Sequence, residues 1–378
     1  MKVLFVAGAS QATLFALAPA ATALRAAGHD VIVVSTQEMV PVAERMCVPF
    51  AAVTDRTLTS LLTTDRAGKP VPRPQTLDQQ RHFAGSWFAR LAAVSIDGLL
   101  ELTGHWRPDL VVGGTSSYAA GLLAAHLGIP QVRLTWDALH NPEQVDEYAD
   151  AELAPELAAL GLDRVPRPDL LLDVCPPSLR APDAAPALLT RWVPGNHQQR
   201  LEPWMLTDGG RQRVCVTGGT RVALTESQAF LRRLAEGLAG LDVEIVVPAP
   251  EDVAAELRRV LPGVRTGWMP LDVVAPTCAA FVHHGGGVTA MTAMAYGTPQ
   301  LVLPKFELFA DSWERLDQHG GSITLMPGEQ SDENVAKATL ELLTEGTRRH
   351  RAKALAAEIA TLPGPAELVA PLEGLAAG

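Results

Sequence analysis

The sequence predicts an α/β protein built from two facing, doubly wound domains with a ligand cleft between them. Three observations lead there. At 378 residues the chain is long for a single core, so two domains are expected. The N-terminus opens as strand, helix and strand, the unit from which parallel sheets are assembled. A second series of short apolar strands alternating with helices begins after a polar, turn-rich stretch, Pro194 to Arg200.

Lys2 to Val6 is an unbroken apolar run after its first residue, as a strand buried on both faces requires. Leu14 to Ala27 is rich in Ala and Leu and stops at Gly28, which reads as a helix, and Val31 to Val34 is the second strand. Thr54 to Arg81 is polar, contains prolines and lacks a period, so at its length it reads as a functional loop. Gln80 to Ala93 has helical apolar spacing. Asp109 to Val112 and Gln131 to Leu134 are strands flanking a helix, Tyr118 to Leu127, that ends at Gly128. Pro168 to Leu201 reads as an interdomain linker, giving domains 1–200 and 201–378. The second domain's strands are Arg213 to Val216, Val243 to Val247, Val264 to Trp268, Ala279 to Val282, Gln300 to Leu303 and Ile323 to Leu325. Ala366 to Ala376 is a helix expected to pack back on the first domain.

A formal net charge of -11 argues against nucleic acid and anionic membrane as partners. Cys47, Cys175, Cys215 and Cys278 lack metal-ligand spacing and read as thiols of a reducing cytoplasm, so no metal is expected. No apolar run reaches membrane-spanning length, and the N-terminus opens as a core strand rather than a signal peptide. The expectation is a soluble intracellular protein.

The motif that carries most chemistry is Val282-His283-His284-Gly285-Gly286-Gly287-Val288-Thr289, a strand end, two histidines, three glycines and a helix start. Unpaired N–H groups and the positive end of the helix dipole suit a phosphate there, and an imidazole on the rim adds a donor. The competing reading is a plain glycine-rich turn. A nicotinamide site would need Gly-x-Gly-x-x-Gly after the first strand, and Gly8-Ala9-Ser10-Gln11-Ala12-Thr13 does not supply it.

Three stretches carry a family resemblance along the whole chain: Ala23 to Val31, Val214 to Thr220, and the His-His-Gly-Gly block with its Gly297-Thr298-Pro299-Gln300 sequel. With them the chain resembles the GT-B glycosyltransferases that decorate antibiotics. Within these it looks most like the transferases that attach the first deoxysugar, D-olivose, to angucycline polyketides such as landomycin. The resemblance implies two Rossmann-like domains and a dTDP-deoxysugar as co-substrate, held mainly by the second domain. It also implies an aromatic polyketide acceptor held by the first, and no further cofactor. By position, His283 would bond the diphosphate above the amides of Gly287, Val288 and Thr289. Trp268, with Met269 beside it, would stack on the thymine, although an ordinary core tryptophan fits as well. Thr217, Gly218, Gly219 and Thr220 would form the second phosphate and sugar contact.

Two departures matter. Thr13 stands where the family's usual N-terminal base, a histidine, would be, and a threonine hydroxyl takes no proton at neutral pH. The family's Asp-Gln or Glu-Gln pair that holds sugar hydroxyls is absent from Pro304 to Asp311, which carries the aromatics Phe306 and Phe309 instead and suits a dideoxyhexose. The base is therefore sought at Asp137, desolvated beside Trp136, with a turn cap as its structural alternative. Ser10 is a second catalytic candidate, donating to the diphosphate across the cleft. His197 and His82 are weaker base candidates. The acceptor slot is assigned to Trp136, Phe83, Trp87 and Phe88 with Leu58, Leu61, Leu62 and Val71 of the 54–81 loop, against the alternative that Trp87 or Phe88 is core. The linkage formed is expected to be an O-glycoside, and a C-glycoside or a non-catalytic sugar-nucleotide-binding role remains open.

Overall fold

The computed structural model describes residues 1–138, 143–196, 199–220 and 227–378. Two all-parallel sheets organise the chain. The first has seven strands, β1 (Lys2–Val6), β2 (Asp30–Thr36), β3 (Phe50–Thr54), β4 (Leu110–Gly114), β5 (Gln131–Leu134), β6 (Leu170–Asp173) and β7 (Leu188–Leu189), in the order β3-β2-β1-β4-β5-β6-β7. The second has six, β8 (Arg213–Thr217), β9 (Glu244–Pro248), β10 (Arg265–Gly267), β11 (Ala280–His283), β12 (Gln300–Val302) and β13 (Ser322–Thr324), in the order β10-β9-β8-β11-β12-β13. Central strands are sealed on both faces: Val3, Leu4, Phe5, Val214, Val216 and Phe281 have no exposed surface.

Strand order reverses between β1 and β4 in one sheet and between β8 and β11 in the other. Connections leave in opposite directions at such a point, which opens a crevice beyond the carboxyl ends of the strands. Residues following β1, β5, β8, β9, β10, β11 and β12 line one common cleft. Parallel pairing sets its depth, with Val6 opposite Gly113 and His283 opposite Thr217.

The helix Tyr118–Leu127 ends, as expected, at Gly128, which takes φ 64° and donates to the Ala125 carbonyl. Other elements differ from expectation. The supposed linker contributes β6 and β7 to the first sheet, and the chain crosses to the second between Leu189 and Arg213. The supposed 54–81 loop contains the helix Leu58–Thr63. The next helix runs from Leu77 to His105, started by a reciprocal capping box of Thr76 and Gln79. This 29-residue helix meets the length and composition of a membrane span, with mean hydropathy 1.2 over its most apolar window, contrary to the sequence expectation. Here it is a packed helix: Ala89, Ala92 and Leu99 join the core beneath β1 and β4, and buried Arg90 donates to the Leu61 carbonyl.

The last helix, Val369–Ala377, lies on the first half. Leu368 and Leu372 share a core with Phe15, Leu24 and Val31. The same core takes in Ala290, Met291 and Trp313 from the second half, so apolar contact runs across both.

Candidate active site

β11 ends at His283, and that side chain turns inward. It is fully buried, with Nε2 2.9 Å from Gln300 Oε1, while Gly285 N–H donates to Nδ1 at 3.2 Å. Because Nδ1 accepts, the ring proton sits on Nε2 and points at Gln300. Burial pushes the imidazole down to about 4, so it is neutral. The expectation that His283 bonds the diphosphate is corrected: both its nitrogens are engaged inside the protein. His284 takes the place at the cleft. Its ring lies where side chains on Gly219 and Gly286 would be, since a Cβ on Gly286 would stand 2.7 Å from Cε1 and one on Gly219 would collide with the same atom. Two glycines thus make room for a histidine rather than for a ligand alone.

The helix Gly287–Ala295 begins immediately after, with Gly286 at its N-cap. Gly287, Val288 and Thr289 all line the cleft, so the helix start faces it. Opposite, Thr217, Gly219 and Thr220 line the wall after β8, and Thr217 Oγ1 accepts from Gly219 N–H at 3.1 Å. Gly218 is buried behind that turn and is not a lining residue, which corrects its place in the predicted site. Trp268 and Met269 also line the cleft. Trp268 meets Phe15 edge-on at 6.1 Å, and its carbonyl accepts from Gln199 Nε2 at 2.7 Å.

From the first half, Ser10 caps the helix Gln11–Ala26 by its backbone, makes no side-chain cap bond, and reaches the cleft. Thr13 does so too, but its hydroxyl is spent on the carbonyls of Gly8 (2.8 Å) and Ser10 (2.7 Å). The corner after β5 is fixed from two sides. Thr135 Oγ1 donates to Asp173 at 3.0 Å, and Trp136 N–H donates to Thr115 Oγ1 at 3.2 Å. Trp136 packs on Gly114 and stacks on Phe88 at 5.6 Å, which in turn meets Trp87 at 3.6 Å. Half-buried Asp137 follows and crosses the cleft: a Cβ on Gly287 would strike its carboxylate. A carboxylate from one half therefore touches the helix start of the other.

Phe83, Trp87, Phe88 and Trp136 form an aromatic wall of the cleft. Leu58 and Leu62 do not reach it. Leu58 and Leu61 are buried behind Trp87 with Ala9 and Leu91, and Leu62 packs on that cluster, because the segment folds into a helix whose apolar face must be covered. Val71 is likewise absent from the lining. His82 is exposed and set against Tyr148, away from the cleft. His197 lies outside the described residues.

The chain matches the family described as erythromycin biosynthesis protein CIII-like, with its N-terminal domain over residues 22–219 and its C-terminal domain over residues 232–375. The chain belongs to this family. It is 33% identical over 384 residues to the L-demethylnoviosyl transferase of Streptomyces niveus, covering 100% of this chain and 98% of that protein. The glycosyltransferase SsfS6 of Streptomyces sp. SF2575, solved with thymidine diphosphate, superposes with TM-score 0.87 at 34% identity over 99% of both chains. The spinosyn rhamnosyltransferase SpnG, solved with spinosyn aglycone, gives TM-score 0.83 at 28% identity over 99% of this chain and 100% of that one.

This erythromycin biosynthesis protein CIII-like chain is a glycosyltransferase with the GT-B fold. Its cleft has lining residues that the sequence analysis does not assign: Pro74, Gln80 and Ala84 in the first half, and Pro248, Pro250, His284 and Leu308 in the second. One signal was available. Positions 80, 83, 84 and 87 fall on a single face of a helix, so assigning Phe83 and Trp87 to the cleft carries Gln80 and Ala84 with them.

Proposed function

We propose that this transferase moves a 2,6-dideoxyhexose, D-olivose in the first instance, from its dTDP derivative to a phenolic oxygen of a flat, angucycline-type polyketide, inverting the anomeric centre. The observation that carries the reading is the approach of Asp137 to Gly287, which sets a proton acceptor beside an anion-binding helix start. Asp137 takes the phenol proton. The phenolate oxygen attacks the anomeric carbon, the bond to the diphosphate oxygen breaks, and dTDP leaves with the electron pair. His284, the amides of Gly287, Val288 and Thr289, and the Ser10 hydroxyl meet the charge that develops there. The proton on Asp137 passes to solvent, and the scheme draws on no metal.

Trp268 supplies a face for the thymine, in keeping with the thymidine diphosphate bound by SsfS6. Phe306, Leu308 and Phe309 border the cleft where a dideoxy sugar presents fewer hydroxyls to satisfy. The aromatic wall offers a flat acceptor its ring faces. Nucleotide sugars are made in the cytoplasm, and we place the reaction there.

The test is incubation with dTDP-D-olivose and hydroxylated aromatic polyketides, with and without EDTA, followed by mass spectrometry. An acid-labile adduct formed equally in both supports the reading. An acid-stable adduct means attack by a ring carbon of the same phenolate, and no adduct with tight dTDP binding means a non-catalytic binder.

A further inference from the structure

Gln80 lies on the helix Leu77–His105, one turn before Phe83 and Ala84 and two before Trp87, and all four border the cleft. It is 9% exposed. Its side-chain oxygen accepts the Leu308 N–H at 3.1 Å, a bond that joins the first half to the segment after β12. Since Leu308 presents a donor, the atom facing it must be the oxygen, and the amide nitrogen faces the other way. Among the described residues that nitrogen donates to no protein group, and it is not sealed from the cleft. Two N–H donors on a largely buried side chain are thus left to a ligand in a slot otherwise walled by aromatic rings.

We propose that Gln80 is the specificity-determining residue of the acceptor slot, donating from its amide nitrogen to a carbonyl oxygen on the aromatic acceptor. This rests on the flat-acceptor reading above. An N–H donor needs an acceptor lone pair directed at it, and a quinone-type carbonyl offers two in the ring plane. A buried donor left unpaired is penalised, so the slot discriminates against a ring system lacking that oxygen. The same side chain fixes Leu308 across the cleft. Acceptor seating and the position of the segment beside the sugar are therefore held by one carboxamide.

The probes are 1-hydroxyanthraquinone and 1-hydroxyanthracene, which share three rings and a hydroxyl and differ in the carbonyls. Binding is read from tryptophan fluorescence on the full chain, so turnover is not needed. Gln80→Glu keeps an oxygen for Leu308 and replaces the donor with a repelling carboxylate, while Gln80→Met removes both. Each variant should weaken anthraquinone binding roughly tenfold, the scale of one hydrogen bond, and leave anthracene and dTDP binding within about twofold. Equal weakening of both aromatics, no weakening of either, or a parallel loss of dTDP binding overturns the proposal. A wild-type chain that shows the Gln80 discrimination yet transfers no sugar leaves this inference standing and removes the transfer reaction proposed above. A wild-type chain that binds neither aromatic removes the flat-acceptor reading and the inference with it.

Discussion

His283 and His284 are neighbours in sequence and opposite in environment. Successive side chains at a strand end point to opposite sides, so a shift of one residue in where the strand stops exchanges the two roles. The sequence gives the pair of histidines and the phosphate-type turn, but only packing against Gln300 decides which ring is inside. His284→Ala is expected to lower turnover by about two to three orders of magnitude, the scale of one donor to a developing anion. His283→Gln should act on stability and its pH dependence. Above about 6.5 the imidazole is neutral folded and unfolded. Below it, down to about 4, the unfolded chain binds a proton that the buried ring refuses, so stability falls toward acid. At pH 5 that loss is on the order of 2 kcal/mol, and urea unfolding at pH 7 and pH 5 should show it in the parent and not in the variant. Asp137 is proposed from the sequence by elimination, since Thr13 stands where a histidine base is expected and its hydroxyl takes no proton at neutral pH. In the structure that hydroxyl bonds the carbonyls of Gly8 and Ser10. Asp137→Asn should cut turnover by about two to four orders of magnitude. The dTDP affinity should hold or rise, because a carboxylate beside Gly287 competes with the diphosphate for the same helix start. Weaker dTDP binding in this variant would assign Asp137 a structural role.

At the scale of elements, strands and helices with clear ends were readable and those completed by neighbours were not. Tyr118–Leu127 carries its own stop signal in Gly128. β7 has two residues, and β6 follows a proline, so neither offers a period to read. The helix Leu77–His105 outruns its expected end at Ala93 because Gly98 and Gly104 interrupt its pattern. Gly98 is there because a Cβ would strike the Val53 carbonyl, a reason visible only once β3 lies alongside. The 54–81 segment shows the reverse error: its leucines support Trp87 from behind, so exchanging them among relatives should alter stability before it alters acceptor choice. The start of Gly287–Ala295 gives the sharpest prediction at this scale. Gly287→Ala introduces a Cβ into the space of the Asp137 carboxylate, and either the side chain or the domain spacing must yield. Alanine suits the helix itself, so thermal stability should change little. Turnover should fall by about two orders of magnitude, since small displacements of a reacting group have large rate effects. Unchanged turnover would mean that Asp137 does not act from the position it holds here.

The backbone passes between the two halves at the crossing from β7 to β8 and again in the return of the C-terminal segment, beside the Gln80–Leu308 bond and the apolar core that the halves share. The return is anchored along its length. Ser178 donates to Glu358 from its hydroxyl at 2.6 Å and its amide at 2.7 Å, and the Pro363 carbonyl accepts from Arg191 N–H at 2.8 Å and Thr190 Oγ1 at 2.9 Å. Glu373 then reaches His29 at 3.0 Å on the far side of the first sheet. The Glu373 carboxylate of that last pair is half-exposed, so the anchoring strength lies in Leu368 and Leu372, both buried against the helix Gln11–Ala26 and its core. The same helix carries Ser10 at its start and Phe15 against Trp268, so what holds it also holds one side of the cleft. Removing residues 365–378 takes both leucines away and uncovers the apolar face of the helix Gln11–Ala26 beneath them, which should destabilise the first half by about 3–6 kcal/mol, at roughly 1.5–3 kcal/mol for each leucine lost. The loss should appear as a separate, earlier unfolding transition, because the second sheet keeps its own core from Val214 to Leu343. Below that transition dTDP should still bind, since His284, Trp268 and the helix start all belong to the second half. Turnover should fall further than dTDP affinity, as the spacing between Asp137 and Gly287 loses one of its supports. A shortened chain that melts in one step at the parent temperature and turns over normally would show that the C-terminal return does not set the cleft.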